Sequence, residues 1–201
     1  MMGEMEAEPE IAVDGDGLVR RARTDGQALG QLYERHYDGV FRYCLHRLFV
    51  REVAADATSA VFLSVATHIR GFRGDTEADF RNWLFAISTH QCHDFVRTAK
   101  RRNRLLEAAV RAGQVRLARE DGLDAPSDGD WAWLYQAMAR LKPRQQTLIT
   151  MRFFEGLSYE QIAGILHRRP GTLRVMTARA LDKLRKLLAK SHGGGDEPWT
   201  S

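Results

Sequence analysis

Cysteine and long apolar runs are both scarce in this chain, and each scarcity removes a class of protein. Two cysteines in 201 residues, Cys44 and Cys92, are too few for the disulfide framework of a small secreted domain. No stretch approaches the roughly 20 apolar residues of a membrane span, and nothing reads as a secretory leader. A cytoplasmic protein with reduced thiols and no membrane insertion is therefore expected. His90, Cys92 and His93 form a His-x-Cys-His cluster that matches none of the recognisable zinc spacings, so no metal is expected, nor any other cofactor. Strand-like alternation is also missing, and the expected fold class is all-α.

What is present is charge in blocks. The formal net charge is only +4, but Arg97, Lys100, Arg101, Arg102, Arg104, Arg111, Arg116 and Arg119 form one basic run. Arg168, Arg169, Arg174, Arg179, Lys183, Arg185, Lys186 and Lys190 form a second, and Glu120, Asp121, Asp124, Asp128 and Asp130 lie between them. Two separated basic surfaces are the electrostatic footprint of a polyanion partner, although a charge run on a helix is commonly just a solvated face. The 97–119 segment could contact upstream phosphates of a nucleic acid, or it could pair with the acidic patch and so give a self-inhibited closed form.

Length and a 44% hydrophobic content suit two small helical domains. Residues 1–22 are acidic and without clear periodicity and read as a disordered N-terminus. A first domain is expected over residues 23–106. Leu32, Tyr33, Tyr37, Val40, Phe41, Cys44, Leu45 and Leu48 give one apolar stripe, and Val53, Ala57, Val61, Phe62, Val65 and Ile69 a second. The segment "GFRGDTEADF" reads as a loop, and "DFRNWLFAISTHQCHDFVRTAKRR" as a third helix with a basic end. "EDGLDAPSDGD" has the composition of a linker, placed at 107–130. A second domain follows over 131–190, and then a disordered tail, 191–201.

The most informative stretch is "SYEQIAGILHRRPGTLRVMTARAL". Ser158 followed by Gln161 is a capping box opening a short helix with Ile162, Ala163, Ile165 and Leu166 on one face. Pro170 suits the first turn of the next helix, so the two are joined by a short basic turn, the outline of a helix-turn-helix. On a helical wheel Leu173, Thr177, Ala180, Leu181, Leu184, Leu187 and Leu188 share one half, with Val175, Ala178, Arg179, Asp182 and Lys186 opposite. A face of small and basic residues is what major-groove insertion requires: small side chains permit close approach and Arg bonds guanine bidentately.

In the first domain, Trp83 and Phe85 beside Arg81 could stack on an unpaired strand, although aromatics at helical spacing more often fill a core. Phe72, a loop aromatic with no evident core to fill, is the better candidate. Asp75, Glu77 and Asp79 raise a rival of another class, a Mg²⁺-dependent nuclease, but no general base accompanies them and alternate loop acids are usually solvent-exposed.

From Leu29 to Leu188 the chain resembles the extracytoplasmic-function sigma factors of bacterial RNA polymerase. "LKPRQQTLITMRFFEGLSYEQIAGIL" followed by "GTLR" is similar to that family's region four. "LYERHYDGVFRYC", "ADATSAVFLSVATHIRGFRG" and "FRNWLFAISTHQCHDFVRTAKRR" resemble successive parts of region two. The resemblance implies two helical domains without catalytic activity. It implies core RNA polymerase and promoter DNA, duplex and melted, as partners, and an anti-sigma factor as inhibitor. The duplex minus-thirty-five element would be read by Arg174, Val175, Ala178 and Arg179, with Arg168 and Arg169 on phosphates and Thr172 in the same interface. The melted minus-ten strand would meet Phe72, Arg73, Trp83, His90, Arg97 and Arg101, with a flipped base captured near the 72–79 loop. Asp56, Phe62 and Leu63 would dock on core polymerase. Ser59 and Ala60 stand where Gln and an acid are usual, His90 where Asn is, Val175 and Met176 where Ser and a basic residue are. His167 stands at a turn position usually held by Gly, in left-handed geometry that His tolerates better than most residues. Stand-alone regulation through the helix-turn-helix is the alternative, and it leaves the first domain without a purpose.

Overall fold

The computed structural model describes residues 14–111 and 132–191, and every regular element among the described residues is helical. In chain order these are α1 (Gly15–Arg21), α2 (Gly26–Leu48), α3 (Arg51–His68), a single 3₁₀ turn (Ile69–Gly71) and α4 (Glu77–Arg111). After the linker come α5 (Ala132–Ala139), α6 (Pro143–Ile149), a wide π-type turn (Thr150–Phe154), α7 (Tyr159–Leu166) and α8 (Pro170–Ser191).

The first three stripes pack as their periodicity requires. Leu32, Val40 and Cys44 of α2, Ala57, Val61 and Val65 of α3, and Phe80, Leu84 and Cys92 of α4 are buried together. Asp25 caps α2 by accepting the Gln27 N–H at 2.8 Å. A two-residue connection, Phe49 and Val50, then turns the chain into α3; Phe49 closes α2 in the left-handed region at φ 65°. Cys44 and Cys92 are free thiols facing each other across α2 and α4, with sulfurs 3.8 Å apart.

Two boundaries differ from the sequence reading. Residues 15–21, expected to be frayed, form α1 and bury Leu18 and Val19, followed by buried Ala22. Only one adjacent apolar pair anchors this helix, too little to register as a period against three glycines and several acids. Residues 107–111, assigned to the linker, are the last residues of α4; Glu107, Ala108 and Ala109 are strong helix formers. The rest of the proposed linker, 112–130, and the proposed disordered segments 1–13 and 192–201 lie outside the described residues.

The two helical regions dock on one another. Leu148, Met151, Leu157, Ile162, Ile165 and Leu173 belong to the same buried cluster as the α2–α4 core. At the contact Arg47, 1% exposed, donates from Nη1 to Gln146 Oε1 at 2.5 Å, and Gln146 Nε2 donates to the Met138 carbonyl at 2.9 Å. Among the described residues Arg47 Nε and Nη2 have no hydrogen-bond partner. His46 packs on Phe154, ring centroids 4.4 Å apart, and shares a hydrogen bond with the Tyr135 hydroxyl at 3.2 Å. Burial, with Arg42 nearby, pushes His46 down to about 4. Arg42 pairs with the nearly buried Glu155 at 3.5 Å. The docked contact thus runs through α2 and α4 on one side and α5, α6, the π-type turn and α7 on the other. The acidic patch of the proposed charge-driven closure lies outside the described residues.

Candidate nucleic-acid interface

The helix-turn-helix forms as the residues dictate. Ser158 Oγ accepts the Gln161 N–H at 3.1 Å, and Gln161 Oε1 accepts the Ser158 N–H at 2.8 Å, a reciprocal capping box. His167 ends α7 in the left-handed region at φ 50°, ψ 49°, as its position in the turn requires. Pro170 opens α8. Leu173, Thr177 and Ala180 are buried at 0–1% exposure, while Thr172, Arg174, Val175, Ala178 and Arg179 are exposed, Val175 by 52%. Arg168 and Arg169 are exposed in the turn. The seven residues proposed from sequence therefore share one surface. Arg174 is held on it, 3.3 Å from Glu160 and with its guanidinium 5.5 Å from the Tyr159 ring centre. Tyr159, which also lies 5.3 Å from Arg152, carries no signal in the sequence, because Arg174 is fifteen residues on and only the fold of the helix-turn-helix brings the two together.

The second surface runs along α4. Trp83, His90, Arg97 and Arg101 repeat at seven, seven and four residues, so they share one face of the helix. Trp83 is half-buried, and His90 and Arg97 are exposed and bridged by Asp94, 3.3 Å from His90 Nε2 and 3.0 Å from Arg97 Nη2. The Arg101 side chain lies outside the described residues. Phe85 is buried in the core beside Tyr43, ring centroids 5.3 Å apart, so it offers no stacking surface. Phe72 does find a partial core: it is half-buried, stacks on Trp83 at 4.7 Å and meets Phe80 edge-on at 6.1 Å. Arg73 beside it is exposed.

The loop acids each have a structural task. Asp79 accepts from the Thr76 hydroxyl at 2.7 Å and the Thr76 N–H at 3.2 Å, and this bonding, the hydroxyl foremost, holds its carboxyl below the usual range. Asp75 pairs with Arg23 at 2.8 Å, and Glu77 pairs with Arg35 at 3.1 Å and lies 3.6 Å from His36. His36, half-buried, is pushed down by desolvation despite Glu77. Three carboxylates committed to different cations and a helix cap do not converge, and among the described residues no cluster of three His, Cys, Asp or Glu could hold a metal ion. His90, Cys92 and His93 likewise part: His90 faces outward, Cys92 faces Cys44, and His93 reaches Thr147 at 3.4 Å.

A third surface lies on α2 and α3. Asp56 and Leu63, seven residues apart on one face of α3, are both exposed, Leu63 by 70%. Phe62 is half-buried against Tyr33, edge-on at 4.7 Å, and Tyr37, at 6.2 Å. Tyr33 belongs to the apolar stripe of α2 in the sequence, yet it is 44% exposed.

Comparison with known proteins agrees with this arrangement. The family described as Sigma-70 region 2 matches residues 32–102, and Sigma-70, region 4 matches residues 131–184. The ECF RNA polymerase sigma factor BldN of Streptomyces coelicolor is 32% identical over 174 residues, 85% of this chain and 64% of that protein. ShbA of Streptomyces griseus, another ECF RNA polymerase sigma factor, is 29% identical over 191 residues, 89% of this chain and 96% of that protein. Among solved structures, CnrH in complex with the cytosolic domain of CnrY superposes with a TM-score of 0.61 at 23% identity, covering 88% of this chain and 98% of that one. RpoE of Bartonella quintana, in complex with the anti-sigma factor NepR, gives 0.54 at 19% identity, covering 79% and 95%. The chain belongs to the sigma-70 family, in its extracytoplasmic-function group. Among the described residues no helix is long and apolar enough to cross a membrane.

Proposed function

We propose that the chain is a sigma factor that joins core RNA polymerase in the cytoplasm and directs promoter recognition, melting and initiation, with no catalytic chemistry of its own. The observation that supports this is the presence, in one chain, of an exposed face of small and basic residues on α8, an aromatic and basic face on α4, and the exposed apolar side chains Tyr33 on α2 and Leu63 on α3. Arg174, Val175, Ala178 and Arg179 read base edges in the minus-thirty-five major groove, with Thr172, Arg168 and Arg169 beside the phosphates. Phe72, Arg73, Trp83, His90, Arg97 and Arg101 receive the unpaired minus-ten strand. Asp56, Phe62 and Leu63 dock on the polymerase. A stand-alone regulator has no use for the α4 and α3 surfaces.

Distance sets the order of events. The two promoter elements lie about 25 base pairs apart, ~85 Å along B-form DNA. A docked body of about 160 residues has a radius of gyration of about 15 Å. The two regions therefore part at the Arg47–Gln146 contact when both elements are engaged. CnrH and RpoE form complexes with CnrY and an anti-sigma factor, and an inhibitor of that kind would act by holding the docked arrangement.

The test is run-off transcription with purified core polymerase on pooled promoter fragments, with and without the protein. New discrete transcripts are expected, and Arg179→Ala should reduce them about tenfold or more, the ~1–3 kcal/mol of one base-reading pair. DNA binding without any affinity for core polymerase would instead favour the stand-alone regulator.

A further inference from the structure

The 72–79 loop is short and carries little apolar weight, yet it is held in one shape from outside. Gly74 sits where a Cβ would lie 2.4 Å from Asp79 Cβ and 2.5 Å from the Phe72 ring, so the turn closes tightly on both neighbours. Around it stand residues of α1 and of the α1–α2 turn, all N-terminal to the stretch matched to region 2. Asp16 Oδ1 accepts the Glu77 N–H at 2.7 Å and so caps α4. Arg20 Nη1 donates to the Asp75 carbonyl at 3.3 Å. Arg23 donates from Nη2 to the Gly74 carbonyl and, at 2.8 Å, to Asp75 Oδ1. Its guanidinium carbon lies 6.0 Å from the centre of the Phe72 ring, which in turn stacks on Trp83.

We propose that Arg23 is a positioning residue of the unpaired-strand site: it fixes Phe72 and the 72–79 loop in a receptive shape before DNA arrives. The inference rests on the reading of that loop as the strand-binding site. A fork-shaped guanidinium suits the task, because one group satisfies a carbonyl and a carboxylate while its charge lies against an aromatic ring. Lysine could keep the ion pair to Asp75 but not the combined geometry. A loop already ordered loses less freedom on capturing a base than a mobile one, so the brace acts on strand affinity rather than on duplex reading. Asp75 is the loop's own end of that ion pair, and its loss should act in the same direction as loss of Arg23. The helix that sequence periodicity misses thereby becomes part of the site.

The experiment uses holoenzyme assembled from purified core polymerase and the full chain, with wild type, Arg23→Lys, Arg23→Ala and Asp75→Asn. Two probes are applied: a randomised single-stranded 12-mer pool, scored by affinity and by position-specific base enrichment, and a duplex fragment selected by the wild-type holoenzyme. Circular dichroism and core-binding affinity establish that each variant is folded. Arg23→Ala is expected to weaken strand binding about tenfold and flatten the base enrichment. Asp75→Asn should do so more weakly, and Arg23→Lys should recover part of the loss, while duplex affinity stays within twofold. Unchanged strand affinity and enrichment in folded Arg23→Ala would overturn the inference alone. A wild-type holoenzyme that retains no unpaired strand would overturn the reading of the loop as well, and this inference with it.

Discussion

The two candidate DNA surfaces are built in opposite ways. On α8 every reading residue comes from one continuous helix, anchored by its own buried side through Leu173, Thr177 and Ala180. The 72–79 loop has no such anchor: Arg23 and Asp16 come from the α1 side, Arg35 and His36 from α2, and Trp83 from α4. A duplex groove offers a regular shape that one rigid helix can meet. An extruded base needs a pocket, and a pocket has to be assembled from several elements.

That contrast can be broken from either side. The largest effect is expected for Leu173→Ala, which removes a fully buried side chain beneath the α8 face. A loss of about 3 kcal/mol follows from the cavity and lost burial, measurable by urea unfolding, with duplex binding lost; because Leu173 also joins the α2–α4 core, hydrogen exchange of the 72–79 loop should rise, but less than that of α7 and α8. If loop exchange rose equally, the two surfaces would not be independent. Gln146→Leu, next in size, strips the buried Arg47 of its hydrogen-bond acceptor. The docked arrangement should lose about 2 kcal/mol, seen as an increased radius of gyration in scattering, with neither DNA surface altered; an unchanged profile would show the contact to be dispensable.

Acid should act at the same contact. His46 is held near 4, against about 6.5 when free, so the undocked or unfolded chain binds the proton first and docking weakens as pH falls from about 6.5 toward 4. His93, also pushed down by burial, adds in the same direction, whereas Glu155, pushed up by burial, opposes near the acid end. Because His46 is partly exposed and so screened, roughly 1.5 kcal/mol is expected over that window. It would be read as an expansion by scattering that is absent in His46→Gln. The smallest effect is assigned to Ser158→Ala, about 1 kcal/mol from the lost cap, confined to α7 and α8 in hydrogen exchange. Loss of the same size spread over α2 and α3 would mean that the cap supports more than the turn-helix.

How much of each surface is legible in the sequence follows from the same contrast. The capping box, the left-handed His167, the Pro170 start and the split of α8 into buried and exposed halves are local features, encoded within the residues that form them, and the structure has them all. The α4 face is partly legible, since Trp83, His90 and Arg97 keep helical spacing, but the burial of Phe85 depends on Tyr43 more than forty residues away. The loop is the least legible. Phe72 lacks a core only until Trp83 and Phe80 are brought beside it, and the acids that suggest a metal site find Arg23, Arg35 and the start of α4 instead. Nothing in the spacing of Asp16, Arg20 and Arg23 relates them to residues fifty positions away; only the fold does. Tyr33 fails for the converse reason: it keeps the period of the α2 stripe and meets Phe62 of α3 edge-on, yet 44% of it stays exposed.

The most direct measurement is permanganate footprinting of unpaired thymines, with parallel duplex footprinting, on a promoter found by run-off transcription and bound by holoenzyme containing this chain. The expected result is protection of the duplex around minus thirty-five together with reactive, unpaired thymines around minus ten, the first lost in Arg179→Ala and the second weakened in Arg23→Ala. Protection of duplex DNA by the chain alone, with no unpaired thymines whether or not polymerase is present, would contradict the assignment of one surface to paired and the other to unpaired DNA.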